Sequence, residues 1–132
     1  MTQRLSLLTY LVDDYDRAIA WFTQALGFTL VEDTPLSPDK RWVVVAPSGG
    51  GTALLLARAA DEKQAAHIGA QAGGRVFLFL ETGDFAADHA RISAAGVHFV
   101  EAPRHEPYGI VAVFEDLYGQ RWDLIEPRRP EG

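Results

Sequence analysis

The chain has 132 residues, of which 48% are apolar and 23% charged, with a formal net charge of −6 and no cysteine. This length and composition describe one globular domain able to bury its own core, and they exclude a disordered chain or a fibre. The acidic balance argues against nucleic acid as a partner, because phosphate binding needs clustered Lys and Arg; the missing cysteine removes disulfides, thiolate nucleophiles and Cys-based metal sites.

Leu5 to Val12 reads as a strand, apolar and β-rich, ended by Asp13-Asp14. A helix is predicted from about Asp14, where Asp14 or Asp16 can accept a hydrogen bond from an orphan N–H. Ile19, Phe22 and Leu26 then recur on one face, and Gly27 stops the helix. Phe28 to Glu32 starts the next strand. Arg41 to Ala46 and Thr52 to Ala57 form two more, joined by the turn Pro47-Ser-Gly-Gly-Gly51. Ala59 to Gly74 is an Ala- and Gln-rich linker with room for one short helix. The second half repeats the order of the first. Arg75 to Leu80 is a strand, Asp84 opens a helix with Phe85, His89 and Ile92 on one face, and Gly96 stops it. His98 to Glu101, Ile110 to Phe114 and Arg121 to Ile125 follow as strands, the last two joined by the turn Glu115-Asp-Leu-Tyr-Gly119.

The predicted fold class is therefore α+β, with two βαβββ modules: module one over about 1–58, a linker over 59–74 and module two over about 75–128 of a single domain, 1–132. Neither module is large enough to bury a good core alone. Pairing them with the helices outside gives a cup-shaped mixed sheet whose concave face is the expected binding site. The N-terminal stretch lacks the length and cleavage site of a signal peptide, and no run approaches membrane-spanning length. A cytoplasmic protein, without a membrane partner, is the expectation.

Two segments carry a family resemblance. Leu11-Val-Asp-Asp-Tyr-Asp-Arg-Ala-Ile-Ala-Trp-Phe-Thr-Gln-Ala-Leu-Gly-Phe28 resembles the first-module signature of the vicinal oxygen chelate superfamily (glyoxalases, bleomycin resistance proteins and extradiol dioxygenases). Phe114-Glu-Asp-Leu-Tyr-Gly-Gln-Arg-Trp-Asp-Leu-Ile-Glu126 resembles its closing signature, with Leu117 in place of the usual proline. Metal-dependent members of that superfamily carry His, Glu, His and Glu on successive positions of the cup. The resemblance places these at Leu7, at Leu54 or Leu55, at Arg75 and at Asp123. Leu cannot ligate a divalent cation and Arg repels one, so no metal and no other cofactor is expected at the inherited site.

Strand alternation then sets the candidate lining. Leu7, Thr9 and Leu55 line the first half. In the second, Phe77 and Phe79 share the face of Arg75, with Arg121 and Asp123 as the other polar groups. Arg75 can grip an anionic ligand group bidentately while Asp123 orients it; a buried Arg75–Asp123 pair that satisfies itself is the competing reading. Tyr108, in the loop Arg104-His-Glu-Pro-Tyr-Gly109, offers a ring and a hydroxyl at the cavity mouth. His105 reads as an exposed loop histidine. His67, His89, His98 and His105 have no metal-ligand spacing.

Three functions remain open at this level. The leading one is a metal-free small-molecule-binding protein of the glyoxalase/bleomycin-resistance type, with an apolar cavity and an Arg/Asp polar end. Its partners are then a small ligand, anionic or aromatic, and a second copy of the chain in a homodimer. The alternatives are a metal-dependent glyoxalase-like lyase or extradiol-dioxygenase-like enzyme with relocated ligands, and metal-free acid–base catalysis by Asp123 or Tyr108 with Arg75 holding an anion. The sequence does not decide whether the protein is an enzyme.

Overall fold

The computed structural model describes residues 2–129. The chain forms two compact units, one running to Ile68 and the other starting at Gly69. In the first, β1 (Leu7–Val12), α1 (Tyr15–Gln24), β2 (Thr29–Ser37), β3 (Lys40–Ala46) and β4 (Ala53–Arg58) make a sheet in the order β1-β4-β3-β2; a short α2 (Glu62–Ala65) follows. In the second, β5 (Val76–Glu81), α3 (Phe85–Ala94), β6 (His98–Phe99), β7 (Arg104–Glu106), β8 (Gly109–Glu115) and β9 (Arg121–Pro127) make a sheet in the order β5-β9-β8-β6, with β7 also paired to β8. In each sheet the first strand runs parallel to the last, β1 with β4 and β5 with β9, and the other pairs are antiparallel. No helix of the described residues is long and apolar enough to cross a membrane.

All three helices begin where an aspartate can cap them, α2 at Asp61. Asp14 sits in extended backbone and its carboxylate accepts from the Arg17 N–H at 2.8 Å; Asp84 does the same for Ala87 at 3.1 Å. The buried stripe of α1 differs by one position from the expected one. Tyr15, Ala18 and Phe22 are buried, with Leu26 beyond the helix end, while Ile19 lies half-buried beside them. Phe22 holds this core together, its ring 5.4 Å from Tyr10, 5.2 Å from Trp21 and 5.6 Å from Phe28. Burying such a side chain contributes about 2–3 kcal/mol. In the second unit the stack runs from His89 through Phe99 and Phe114 to Trp122, at 4.1, 5.5 and 5.7 Å.

Two expectations need correction. Residues Arg104–Glu106 form strand β7, where the sequence suggested part of a loop; a three-residue strand beside Pro107 is too short to show a period. Glu106 pairs with Gly109, so Pro107 and Tyr108 are the turn of a tight hairpin. Gly109 takes φ +153 there, and a Cβ on it would collide with the Glu126 carbonyl oxygen. The other correction concerns the start of module two. Arg75 lies outside β5, and the pairing of β5 with β9 shifts between Val76 and Leu78, so that Phe77 is an extra, bulged residue.

Candidate functional site

Each sheet buries one face under its helix and turns the other away. In the first sheet Tyr10, Val12, Val43, Val45, Leu54 and Leu56 are buried on one face, and the alternate residues form the opposite face, where Val44 is buried too. Strand register fixes a row across it: Thr9 beside Leu55, Leu55 beside Val44, Val44 beside Glu32. Leu7 is paired with Ala53 one step further along, and is 36% exposed. The expected lining residues Leu7, Thr9 and Leu55 therefore share one face, which is neutral and apolar apart from Thr9 and the outer Glu32.

The second sheet has a different character. Trp122 and Leu124 are buried beside Phe114 and Ala112 in the α3-side core, which places Asp123 on the face away from α3. Its neighbours in register are Phe79 on β5 and Val113 on β8. Phe79 is 67% exposed. Asp123 Oδ1 is sealed from solvent and has no hydrogen-bond partner among the described residues. Burial pushes the Asp123 carboxyl above the usual range, opposed by the charge of Arg104 and reinforced by that of Glu101.

Arg104 is the organising cation here. Its Nε donates to Glu101 Oε1 at 3.0 Å and its Nη1 to Glu106 Oε1 at 2.8 Å, and Tyr108 is a further hydrogen-bond partner. These hydrogen bonds hold the guanidinium charge more firmly than in a free arginine. Glu101 Oε1 also accepts from the Val113 N–H at 3.2 Å, which ties the network to the strand beside Asp123.

The predicted residues thus divide. Asp123 and Tyr108 belong to this network, Asp123 through the fields of Arg104 and Glu101 and Tyr108 through its bond to Arg104. Arg121 is on the Asp123 face, two residues back and paired with Glu115. Phe77 sits at the bulge, so Phe79 is the aromatic beside Asp123. The cation that acts on Asp123 is Arg104 rather than Arg75, and the bulge breaks the alternation on which the placement of Arg75 rested. Sequence reasoning missed Arg104 and Glu106. The available signal was the spacing of Arg104 and Glu106, which a strand puts on one side.

The donor set does not suit a divalent cation. The inherited positions hold Leu7, Leu54 or Leu55, Arg75 and Asp123, which leaves one carboxylate. Among the described residues no three His, Asp or Glu side chains are grouped to hold a metal ion. Glu101, the carboxylate near Asp123, is already bound to Arg104 and to a backbone N–H.

Comparison with known proteins agrees with this architecture. The sequence pattern of the family described as "Glyoxalase/Bleomycin resistance protein/Dioxygenase superfamily" matches residues 4–124. An uncharacterised protein of Shewanella frigidimarina is 52% identical over 128 residues, covering 96% of this chain and 95% of its own length. The crystal structure of UcmS2 superposes with a TM-score of 0.81 at 32% identity, covering 96% of this chain and 99% of that one. The structure of TnmS3, described as an antibiotic binding protein from Streptomyces sp. CB03234, has a TM-score of 0.77 at 30% identity, covering 96% and 98%.

Proposed function

The chain belongs to the glyoxalase/bleomycin resistance protein/dioxygenase superfamily, and we propose that within it the chain is a metal-free protein that binds a small molecule. The ligand lies against the face of the second sheet that bears Phe79, Asp123 and Tyr108. The observation that carries this reading is Asp123. Its Oδ1 is buried without a partner beside a largely exposed aromatic ring. An unmet buried acceptor costs about 1–3 kcal/mol, and a ligand hydrogen-bond donor recovers it. Phe79 and the half-exposed Tyr108 offer ring faces to an aromatic or amphipathic ligand. Similarity to TnmS3, an antibiotic binding protein, supports the same class of function.

An anionic ligand group finds Arg121 as the cation without an ion pair, among the described residues, on this face. Arg104 already meets two carboxylates, and Arg75 is not the cation that acts on Asp123. The enzyme reading with relocated metal ligands requires three converging donors, and the described residues offer no such group.

A cytoplasmic homodimer completes the proposal. Absence of cysteine suits a reducing compartment. Every residue of β2 is exposed, including Leu30, Val31 and Leu36, an apolar surface that a second copy would cover. Native mass spectrometry with metal analysis of the same sample tests the reading. A dimer carrying substoichiometric metal, with any retained small molecule released on denaturation, is expected. One tightly held metal per chain, with a chelator-sensitive activity, would overturn it.

A further inference from the structure

A concavity lies at the end of the second sheet. It has a volume of about 740 Å³ and is bounded by the ends of β5, β8 and β9 and by β7. That volume is within the range of small-molecule sites. It lies beyond the Phe79–Asp123 row towards the strand ends: Glu81, two residues past Phe79 and paired with Ile125, is on the same side of the sheet, Glu126 is on the opposite side of β9, and Glu106 is shared with the Arg104 network.

The walls carry charges of both signs. Glu81, Glu106 and Glu126 face the groove, as do Arg128 and Arg129. Glu106 is taken up by Arg104, and Glu126 Oε1 by the Phe85 N–H at 2.8 Å. Glu81, Arg128 and Arg129 have no ion pair among the described residues, and neither arginine closes on any carboxylate of the groove. Arg128 is anchored through its backbone N–H to the Tyr108 carbonyl at 2.8 Å, and Glu81 ends a strand paired in register, so both start from fixed points of the main chain. Half-buried Ile110 and Pro127 supply the apolar part of the wall.

We infer that this groove is a binding site for a small zwitterion of the amino-acid or short-peptide class. Glu81 receives the ammonium group, and Arg128 with Arg129 receives the carboxylate. A guanidinium suits a carboxylate because its donors can engage both oxygens. A ligand carrying only one of the two charges leaves half of the pairing unmet, so both charges are required for binding.

Isothermal titration of the full chain with L-alanyl-L-phenylalanine, its N-acetyl form and its carboxamide tests this directly. The free dipeptide is expected to bind saturably, at millimolar Kd or tighter. Removing either charge should weaken binding about tenfold or more, the scale of one charge-assisted hydrogen-bond pair. Glu81→Gln should erase the preference over the N-acetyl form. Arg128→Gln with Arg129→Gln should erase the preference over the carboxamide. Glu62→Gln and Lys63→Gln, exposed charges of α2, control for general electrostatics and should change nothing. Equal binding of all three compounds, no binding of the free dipeptide, or insensitivity to the Glu81 and arginine substitutions in variants shown to be folded by circular dichroism would each overturn the inference. None of these results bears on ligand binding beside Asp123, which is a separate question.

Discussion

The two sheets share a strand plan and a helix capped by aspartate, yet they turn different chemistry away from their helices. The first presents Leu7, Leu55 and Val44 with a single Thr9 between them. The second presents an unpartnered carboxylate, an exposed phenylalanine and an arginine held between two glutamates. A repeated fold fixes where side chains point, but leaves each copy free to differ in what they are. The turns differ in the same way. The Pro47–Gly51 turn is exposed and rich in glycine, whereas Asp116 is buried and its carboxylate accepts from the Tyr118 and Gln120 N–H groups and from Trp122 Nε1 at 2.9, 3.0 and 2.9 Å.

Glycine substitutions should separate the units most sharply. Gly109→Ala combines a positive φ with a backbone collision against Glu126, and should cost about 3 kcal/mol or more in urea denaturation. Gly50→Ala has φ +81 but open space around it, so about 1–2 kcal/mol is expected. Similar losses at both sites would mean that the β7–β8 hairpin is looser than described. Next in size is the turn comparison. Asp116→Ala removes acceptors from three donors and should cost about 3 kcal/mol, taking about 1 kcal/mol for each hydrogen bond. Ser48→Ala, in the exposed turn, should change stability by less than about 0.5 kcal/mol. Loss of Trp122 fluorescence shift in the Asp116 variant would report the same contact independently.

The smallest effect is one of sign. Hydrogen bonding to Arg41 holds the Asp33 carboxyl below its ordinary value of 3.8, against a weaker opposing push from burial. The stabilisation from Asp33 is therefore present above that value and lost as pH falls through the lowered one. Asp123 runs the other way. Burial raises its carboxyl above 3.8, so the folded chain binds the proton more tightly than the unfolded one, and stability falls as pH rises from 3.8 through the raised value. Asp33→Asn should accordingly lower stability at pH 7 and matter less near pH 3. Asp123→Asn should gain on the parent chain as pH rises. Denaturation of both variants between pH 3 and pH 7 checks the two slopes; slopes of the same sign would contradict the placement of Asp123.

Much of the fold was legible from residues alone, because its signals are local. Asp14 and Asp84 mark helix starts, and the Gly-x-x-x-Val-Glu spacing shared by Gly27-Phe-Thr-Leu-Val-Glu32 and Gly96-Val-His-Phe-Val-Glu101 sets the two halves in step. The misplaced features depended on register. The bulge at Phe77 has no local sequence signature, and it breaks the alternation on which the placement of Arg75 rested. Strand β7 is three residues long, so Arg104 and Glu106 looked like loop residues until their pairing with β8 put them on one side. Asp123 was legible, since its alternation with buried Trp122 and Leu124 needs only the period of a strand.

The claim that the second sheet binds ligand through Asp123, without metal, is most directly tested by amide chemical-shift mapping of the metal-free chain. The probe is 2-naphthol, a neutral aromatic with one hydrogen-bond donor. Shifts that saturate and cluster at Phe79, Arg104, Tyr108, Val113 and Asp123, and that vanish in Asp123→Ala, are predicted. Shifts confined to Thr9, Val44 and Leu55, or appearing only after a divalent cation is added, would contradict the account.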